Sequence, residues 1–249
     1  KGFTSERYLA DFMSWTVLSE DEIAARQIKK LNKLLKIAID IPFWSERFSN
    51  SGFKPEVKCL SDLTKLPPLT RMDLQENYHR MTLSSHGVKV YHGSSSGSTG
   101  TPVHYYHDQN GASAGKAAGR LQWIMGGWSY AHKGLHIWGN PSVANNEWKR
   151  FSSRCKAKLL RHHKFAAYQI TQGDRLDDLC RLIIKEKYDY LDGYTNAIHI
   201  LAEHLKMRDV KLPSVKYILT TGENLHAYQK DAIEANIAPV FDMYGCGEI

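Results

Sequence analysis

The chain has 249 residues, 42% hydrophobic and 24% charged, with 33 Lys and Arg against 26 Asp and Glu for a formal net charge of +7. Such a composition excludes a disordered, fibrous or disulfide-stapled chain, and the length suits one large domain or a domain with a small appendage. The basic excess fits an anionic partner such as a nucleotide, a coenzyme phosphate, nucleic acid or acidic lipid and selects none of them. Its scatter, dense only over 149–164, and the lack of any helix-turn-helix, finger or RNP pattern speak against nucleic acid. No apolar run approaches the roughly 20 residues of a membrane span, and no signal-peptide pattern is recognisable. Cys59, Cys155, Cys180 and Cys246 are far apart, form no C-x-x-C pair and have no zinc-type spacing to the twelve histidines. Reduced thiols in a cytoplasmic protein are the expectation.

The first third reads as helical. Ser19–Glu22 is an S-x-x-E capping box, and Ala24, Ile28, Leu31, Leu35 and Ala38 follow at helical spacing until Pro42. Thr70–Asp73 repeats the start signal after the rigid "LPPL" at 66–69. We read residues 1–85 as a helical segment and 86–249 as an α/β region. "VKVYH" (88–92) and "VHYYH" (103–107) alternate like strands, and Asp108 is placed to cap a helix from Gln109 to about Met125. "LHIW" (135–138) is a short apolar strand, "FAAYQI" (165–170) is strand-like, and Asp174 opens a helix carrying Leu176, Leu179, Leu182 and Ile183. "YDYLDGY" (188–194), "VKYILTTGE" (215–223) and "PVFDMYG" (239–245) then alternate with helices around 198–205 and 226–236. This rhythm predicts an α/β fold with mainly parallel sheets flanked by helices.

Ligands of such sheets bind beyond the carboxyl ends of the strands. Three glycine-containing polar turns follow predicted strands: "GSSSGSTG" (93–100), "TTGEN" (220–224) and "YGCGE" (244–248). In the first, Gly93, Gly97 and Gly100 permit positive φ and close backbone approach, and Ser95, Ser96, Ser98, Thr99 and Thr101 add hydroxyl donors for an anion. It is no Walker A loop, for no lysine follows Gly100. The same composition also describes a Gly/Ser linker, against which stand Pro102 and the strand-like flanks. Glu223 and Glu248 at strand ends can act on phosphates through Mg²⁺ or be solvated surface, and Tyr244 can stack on a base or belong to the core rim. His162 and His163, within the basic run, read as solvated surface. The tryptophans 123, 128, 138 and 148 read as core, and no G-x-S-x-G elbow supports Ser-His-Asp catalysis.

The three turns in this order resemble the adenylate-forming superfamily of acyl-CoA synthetases. "SSGSTGTP" (95–102) is similar to its phosphate-binding signature, "TTGENL" (220–225) to its adenine-binding turn, and "PVFDMYGCGE" (239–248) to the strand carrying its Y-G-x-x-E motif. "IDIPFWSERF", "LSDLTKLPPLTRMDLQENY" and His92 resemble the phenylacetate–CoA ligase branch, including the CapK proteins of capsular polysaccharide biosynthesis. The resemblance implies ATP-dependent activation of a carboxylic acid to an acyl-adenylate, followed by transfer to a thiol such as coenzyme A. It implies that Ser95, Ser96, Gly97, Ser98, Thr99, Gly100 and Thr101 grip the phosphates, with Thr99 counted as catalytic. Gly222, Glu223, Asn224, Tyr244 and Gly245 would surround the adenine, and Glu248 would be catalytic through a bound Mg²⁺. Trp123, Trp138, Tyr194 and Asn196 are candidates to face the acid, and a homodimer is left open. Gly247 departs from the Thr or Ser of many relatives. The family continues past this motif through a ribose-binding aspartate, a hinge and a small domain bearing a catalytic lysine. The chain is therefore expected to be a fragment that is inactive alone, with a fold-keeping scaffold protein as the alternative.

Overall fold

A computed structural model of the chain describes residues 3–82, 89–95, 102–139 and 161–245. These fall into two compact units on either side of the step from Ala118 to Gly119.

In the first unit, helices α1 (Phe3–Trp15), α2 (Glu20–Ala38), α3 (Pro42–Ser51) and α4 (Arg71–Asn77) precede a two-stranded antiparallel hairpin of β1 (Val90–Ser94) and β2 (His104–Asp108). Local chemistry sets the helix starts. Ser19 accepts from the Glu22 amide while Glu22 accepts from the Ser19 amide, and Thr70 and Asp73 do the same for α4. Leu35, Ala38, Phe48, Phe53 and Val57 form the core of the helical part, and Asn32 locks it by bonding both the amide and the carbonyl of Val57 at 2.8 and 2.9 Å. Arg47 donates to the carbonyls of Pro67 and Pro68 at 2.8 and 2.7 Å, holding the stiff proline pair. Helix α5 (Gln109–Met125) begins where Asp108 accepts from the Gly111 amide at 2.6 Å.

The second unit is a five-stranded parallel sheet of β3 (Gly134–Trp138), β4 (His162–Ala166), β5 (Tyr190–Tyr194), β6 (Tyr217–Thr221) and β7 (Val240–Asp242), in the spatial order β4-β3-β5-β6-β7. Helices α6 (Arg175–Glu186), α7 (Thr195–Arg208) and α8 (Ala227–Asn236) alternate with the last strands. One face of the sheet presents Leu135, Ile137, Leu191 and Ile218 to Leu179, Ile183, Ile198, Leu201, Leu205 and Ile233 of these helices, all essentially without exposure. Each such side chain contributes on the order of 1.5–3 kcal/mol by leaving water. The opposite face carries Tyr190, Tyr217 and Leu219 under Trp123, Trp128 and Met243.

The α/β architecture with a parallel sheet is as the alternation predicts. One strand is displaced from the expected position: β4 is His162–Ala166, and residues 167–170 of the expected "FAAYQI" strand lie in the 3₁₀ turn Ala167–Thr171. The reason is pairing, since β4 bonds to β3 in the register Gly134↔His162 to Trp138↔Ala166, which uses it up at Ala166. His162 and His163 are correspondingly half-buried sheet residues, not solvated surface. The His163 ring meets the Tyr188 hydroxyl at 2.6 Å, and burial pushes its pKa down. Among the described residues no helix is long and apolar enough to cross a membrane.

Candidate functional site

The strand order places the sheet's switch point between β3 and β5: from β3 the chain moves to one side for β4, and β5 pairs on the other. At their carboxyl ends Trp138 and Tyr194 stack with centroids 4.1 Å apart and planes 19° from parallel. A crevice at a switch point is where doubly wound sheets receive ligands.

Gly222 follows β6 on the same edge of the sheet. Its φ is +83°, and a β-carbon would lie 3.1 Å from the Tyr194 ring and 3.8 Å from Trp138. Glycine is thus required twice, by the left-handed turn and by the aromatic pair beneath it. Glu223, on the way from β6 to α8, ties the turn to the start of α7. Its carboxylate accepts from the Asn196 amide at 2.9 Å and its carbonyl from the Thr195 hydroxyl at 3.2 Å. A carboxylate there also meets the positive end of the helix. The side chain of Asn196 accepts from Gln229, which is buried in α8 and accepts in turn from the His226 amide. The turn is therefore fixed from two helices, while Asn224 is exposed.

Tyr244 and Gly245 come two and three residues past β7. The Tyr244 backbone is clamped by Gln122, which accepts from its amide at 2.8 Å and donates to its carbonyl at 2.9 Å. The residue is 78% exposed. A fixed backbone carrying a bare aromatic face can stack on a planar ligand. Gln122 carries no sequence signal for this task, because the clamp joins positions 122 residues apart.

Within this unit Trp138, Tyr194, Asn196, Gly222 and Glu223 come together, and Tyr244 is presented from the adjacent strand end. Trp123 is placed elsewhere, edge-on to Trp128 and Tyr190 on the sheet face. In the first unit Ser95 closes the mouth of the hairpin: its amide donates to the Val103 carbonyl at 2.9 Å and its hydroxyl accepts from the Val103 amide at 3.0 Å. Ser96, Gly97, Ser98, Thr99, Gly100, Thr101, Gly247 and Glu248 lie outside the described residues. Gly93 is a strand residue opposite Tyr105, and a β-carbon would strike that ring. Its glycine serves a cross-strand neighbour and not a positive-φ anion cradle. His92 stands 3.1 Å from His104 with the rings stacked.

The structure also assembles a group that sequence spacing does not reveal. His136 of β3 and His162 of β4 both bond the carboxylate of Asp192 of β5, whose side chain is only 3% exposed. Burial alone would raise the Asp192 pKa, but the two imidazole bonds outweigh it and hold the carboxyl below its usual range.

No protein-family model matches the chain. A 97-residue stretch is 35% identical to the phenylacetate-coenzyme A ligase of Escherichia coli (strain K12), covering 37% of this chain and 22% of that enzyme. A 109-residue stretch is 34% identical to the Pseudomonas putida phenylacetate-coenzyme A ligase, covering 43% and 24%. The structure of 2-hydroxyisobutyryl-CoA ligase in complex with 2-HIB-AMP and CoA, in its thioesterification state, superposes with a TM-score of 0.61 at 17% identity, over 90% of this chain and 49% of that one. The fold is that of this ligase. Its open conformation, also with 2-HIB-AMP and CoA, gives 0.59 over 86% of the chain. The chain spans about half the length of these solved structures. Sequence relatives and fold neighbours together support the adenylate-forming superfamily.

Proposed function

We propose that the chain forms the nucleotide- and acid-binding part of an ATP-dependent acid–CoA ligase. The observation that carries this reading is the Gly222 turn packed on the Trp138–Tyr194 pair at the sheet's switch point. The reaction is an in-line displacement. A carboxylate oxygen of the acid bonds to the α-phosphorus of ATP and pyrophosphate departs, leaving an acyl-adenylate. The thiolate of coenzyme A then bonds to the acyl carbon and AMP leaves. Gly222, Glu223, Asn224, Tyr244 and Gly245 receive the adenine, with the exposed Tyr244 ring as its stacking partner. Because the Glu223 carboxylate caps α7, its contribution to adenine comes through the backbone of the turn. Ser95 and the loop 96–101, with Thr99, take the phosphates, and Glu248 is the residue this reading assigns to Mg²⁺. Donors aimed at developing phosphate charge supply most of such catalysis.

Trp138, Tyr194 and Asn196 line the approach for the acid. We place the protein with the phenylacetate–CoA ligase and CapK branch on the residues quoted above. The test is ATP–pyrophosphate exchange by the full-length protein carrying this chain, screened over aryl, fatty and sugar acids. Exchange with one class and its loss in Glu248→Ala are expected. No exchange with any acid, together with ATP binding that Glu248→Ala leaves unchanged, overturns the reading and leaves a non-catalytic scaffold.

A further inference from the structure

The sheet face that bears Trp138 and Tyr194 holds a second constellation further from the strand ends. Period-two alternation puts Gly134, His136 and Trp138 of β3, His162 of β4, and Tyr190, Asp192 and Tyr194 of β5 on that one face. His136 pairs with Asp192 in the β3–β5 register and His162 pairs with Gly134 in the β3–β4 register. Three adjacent strands thus bring one ring nitrogen of His136, one of His162 and a carboxylate oxygen of Asp192 within 4.8 Å of one another, and Nδ1 of His136 and Nε2 of His162 are the atoms that bond that carboxylate.

Several features separate this group from an ordinary buried hydrogen-bond triad. Among the described residues Asp192 has no lysine or arginine partner, so a carboxylate almost without exposure is faced only by imidazoles. The rings are oriented by aromatic contacts. His136 stacks on Trp138 at 5.2 Å and 15°, and His162 stacks on Tyr190 at 6.2 Å and 16° with Trp123 edge-on at 5.8 Å. Gly134, between His162 and Tyr190 in the register, has no side chain to part them. The two imidazoles keep 19% and 24% side-chain exposure, so an ion can reach them while the carboxylate stays dry.

We propose that His136, His162 and Asp192 bind one divalent cation of the zinc class, with a fourth position left to water. Two imidazoles and one carboxylate are the donor set for zinc and similar transition metals; Mg²⁺ and Ca²⁺ require oxygen donors. Binding moves the His136 proton from Nδ1 to Nε2 and the His162 proton from Nε2 to Nδ1. Both lone pairs and the carboxylate then point at the ion without net proton release. The Trp and Tyr rings play the supporting part that orients metal-bound imidazoles. The site is separate from the Mg²⁺ assigned to Glu248, and it stands whether or not the protein forms adenylates.

The experiment is calorimetric titration of the chelator-stripped full-length protein with Zn²⁺, and Co²⁺ titration followed by visible absorption and tryptophan emission. Expected are one equivalent of micromolar or tighter affinity, a tetrahedral cobalt spectrum, and quenching by Co²⁺, since Trp138 and Trp123 adjoin the ligands. His136→Ala/His162→Ala should lose more than the about 10–100-fold that removal of a supporting residue costs. His92→Ala/His104→Ala, which removes the histidine pair of the hairpin, should keep the equivalent. Asp192→Asn tests the carboxylate; if it does not fold, the wild-type cobalt spectrum and stoichiometry decide. Absence of a saturable equivalent, an octahedral cobalt spectrum, or an equivalent that survives His136→Ala/His162→Ala overturns the site and leaves a hydrogen-bonded triad. Failure of acid activation with zinc still bound would overturn only the ligase reading.

Discussion

The two faces of the parallel sheet are made from alternate residues of the same strands, yet they differ in kind. Leu135, Ile137, Leu191 and Ile218 point to one side and vanish under α6, α7 and α8. His136, Trp138, Asp192 and Tyr194, interleaved with them on β3 and β5, point to the other and form a stacked aromatic pair and a buried ionisable cluster. A strand cannot satisfy both demands on one side, because a packed apolar layer tolerates neither an uncompensated charge nor an open crevice. Period-two alternation lets three strands anchor the fold with one set of side chains and hold ligands with the other.

The sharpest way to break this contrast is truncation on each side. Ile198→Ala, in the fully buried layer of α7, should lower unfolding free energy by about 2–5 kcal/mol. Trp138→Ala, at 37% exposure, should cost about 1 kcal/mol. Under the ligase reading the same change lowers kcat/KM for exchange at least about tenfold, or ~1.4 kcal/mol. Urea unfolding of both variants is the measurement, and equal stability losses would erase the distinction.

The apolar side holds a buried phenol, Tyr188, bonded to His163 and pushed by burial up to about 12 from its ordinary 10.0. The neutral phenol is the folded form's preference, so its stability share is whole below about pH 10 and falls as pH rises towards about 12. That share is on the order of 2 kcal/mol. Tyr188→Phe should therefore flatten the alkaline decline of the urea midpoint, and an unchanged decline would show that this phenol does not drive it. The smallest structural effect belongs to Tyr244→Ala. Because the residue is 78% exposed, the change should leave stability within about 0.5 kcal/mol. If the ring stacks on adenine as proposed, nucleotide binding weakens by about 1–3 kcal/mol in the same protein.

Much of this arrangement is legible in the order of the residues. The capping boxes at Ser19 and Thr70 are closed by residues three positions away, so short-range sequence suffices to see them. The β–α alternation from Gly134 onward is readable for the same reason, as is the grouping of polar turns after strands. The turn at Gly222 falls after β6 as its glycine and polar neighbours imply, but its packing on Tyr194 has no local signature. The apolar pattern of "FAAYQI" points to a strand that begins three residues later than the true one at 162–166, because only the pairing with β3 ends that strand at Ala166.

Local facts are written in the chain: where helices begin, which segments alternate, and which turns are rich in glycine and hydroxyls. The strand order decides the rest. His136 and Asp192 are 56 positions apart, and His162 and Asp192 are 30 apart. No spacing rule joins them, since each lies on a different strand and only the β4-β3-β5 order makes those strands neighbours. Likewise Gln122 reaches Tyr244 only because the fold carries the end of α5 to the strand end after β7. Hydrogen bonds over three or four residues follow from sequence alone; convergence across strands exists only once the sheet has closed.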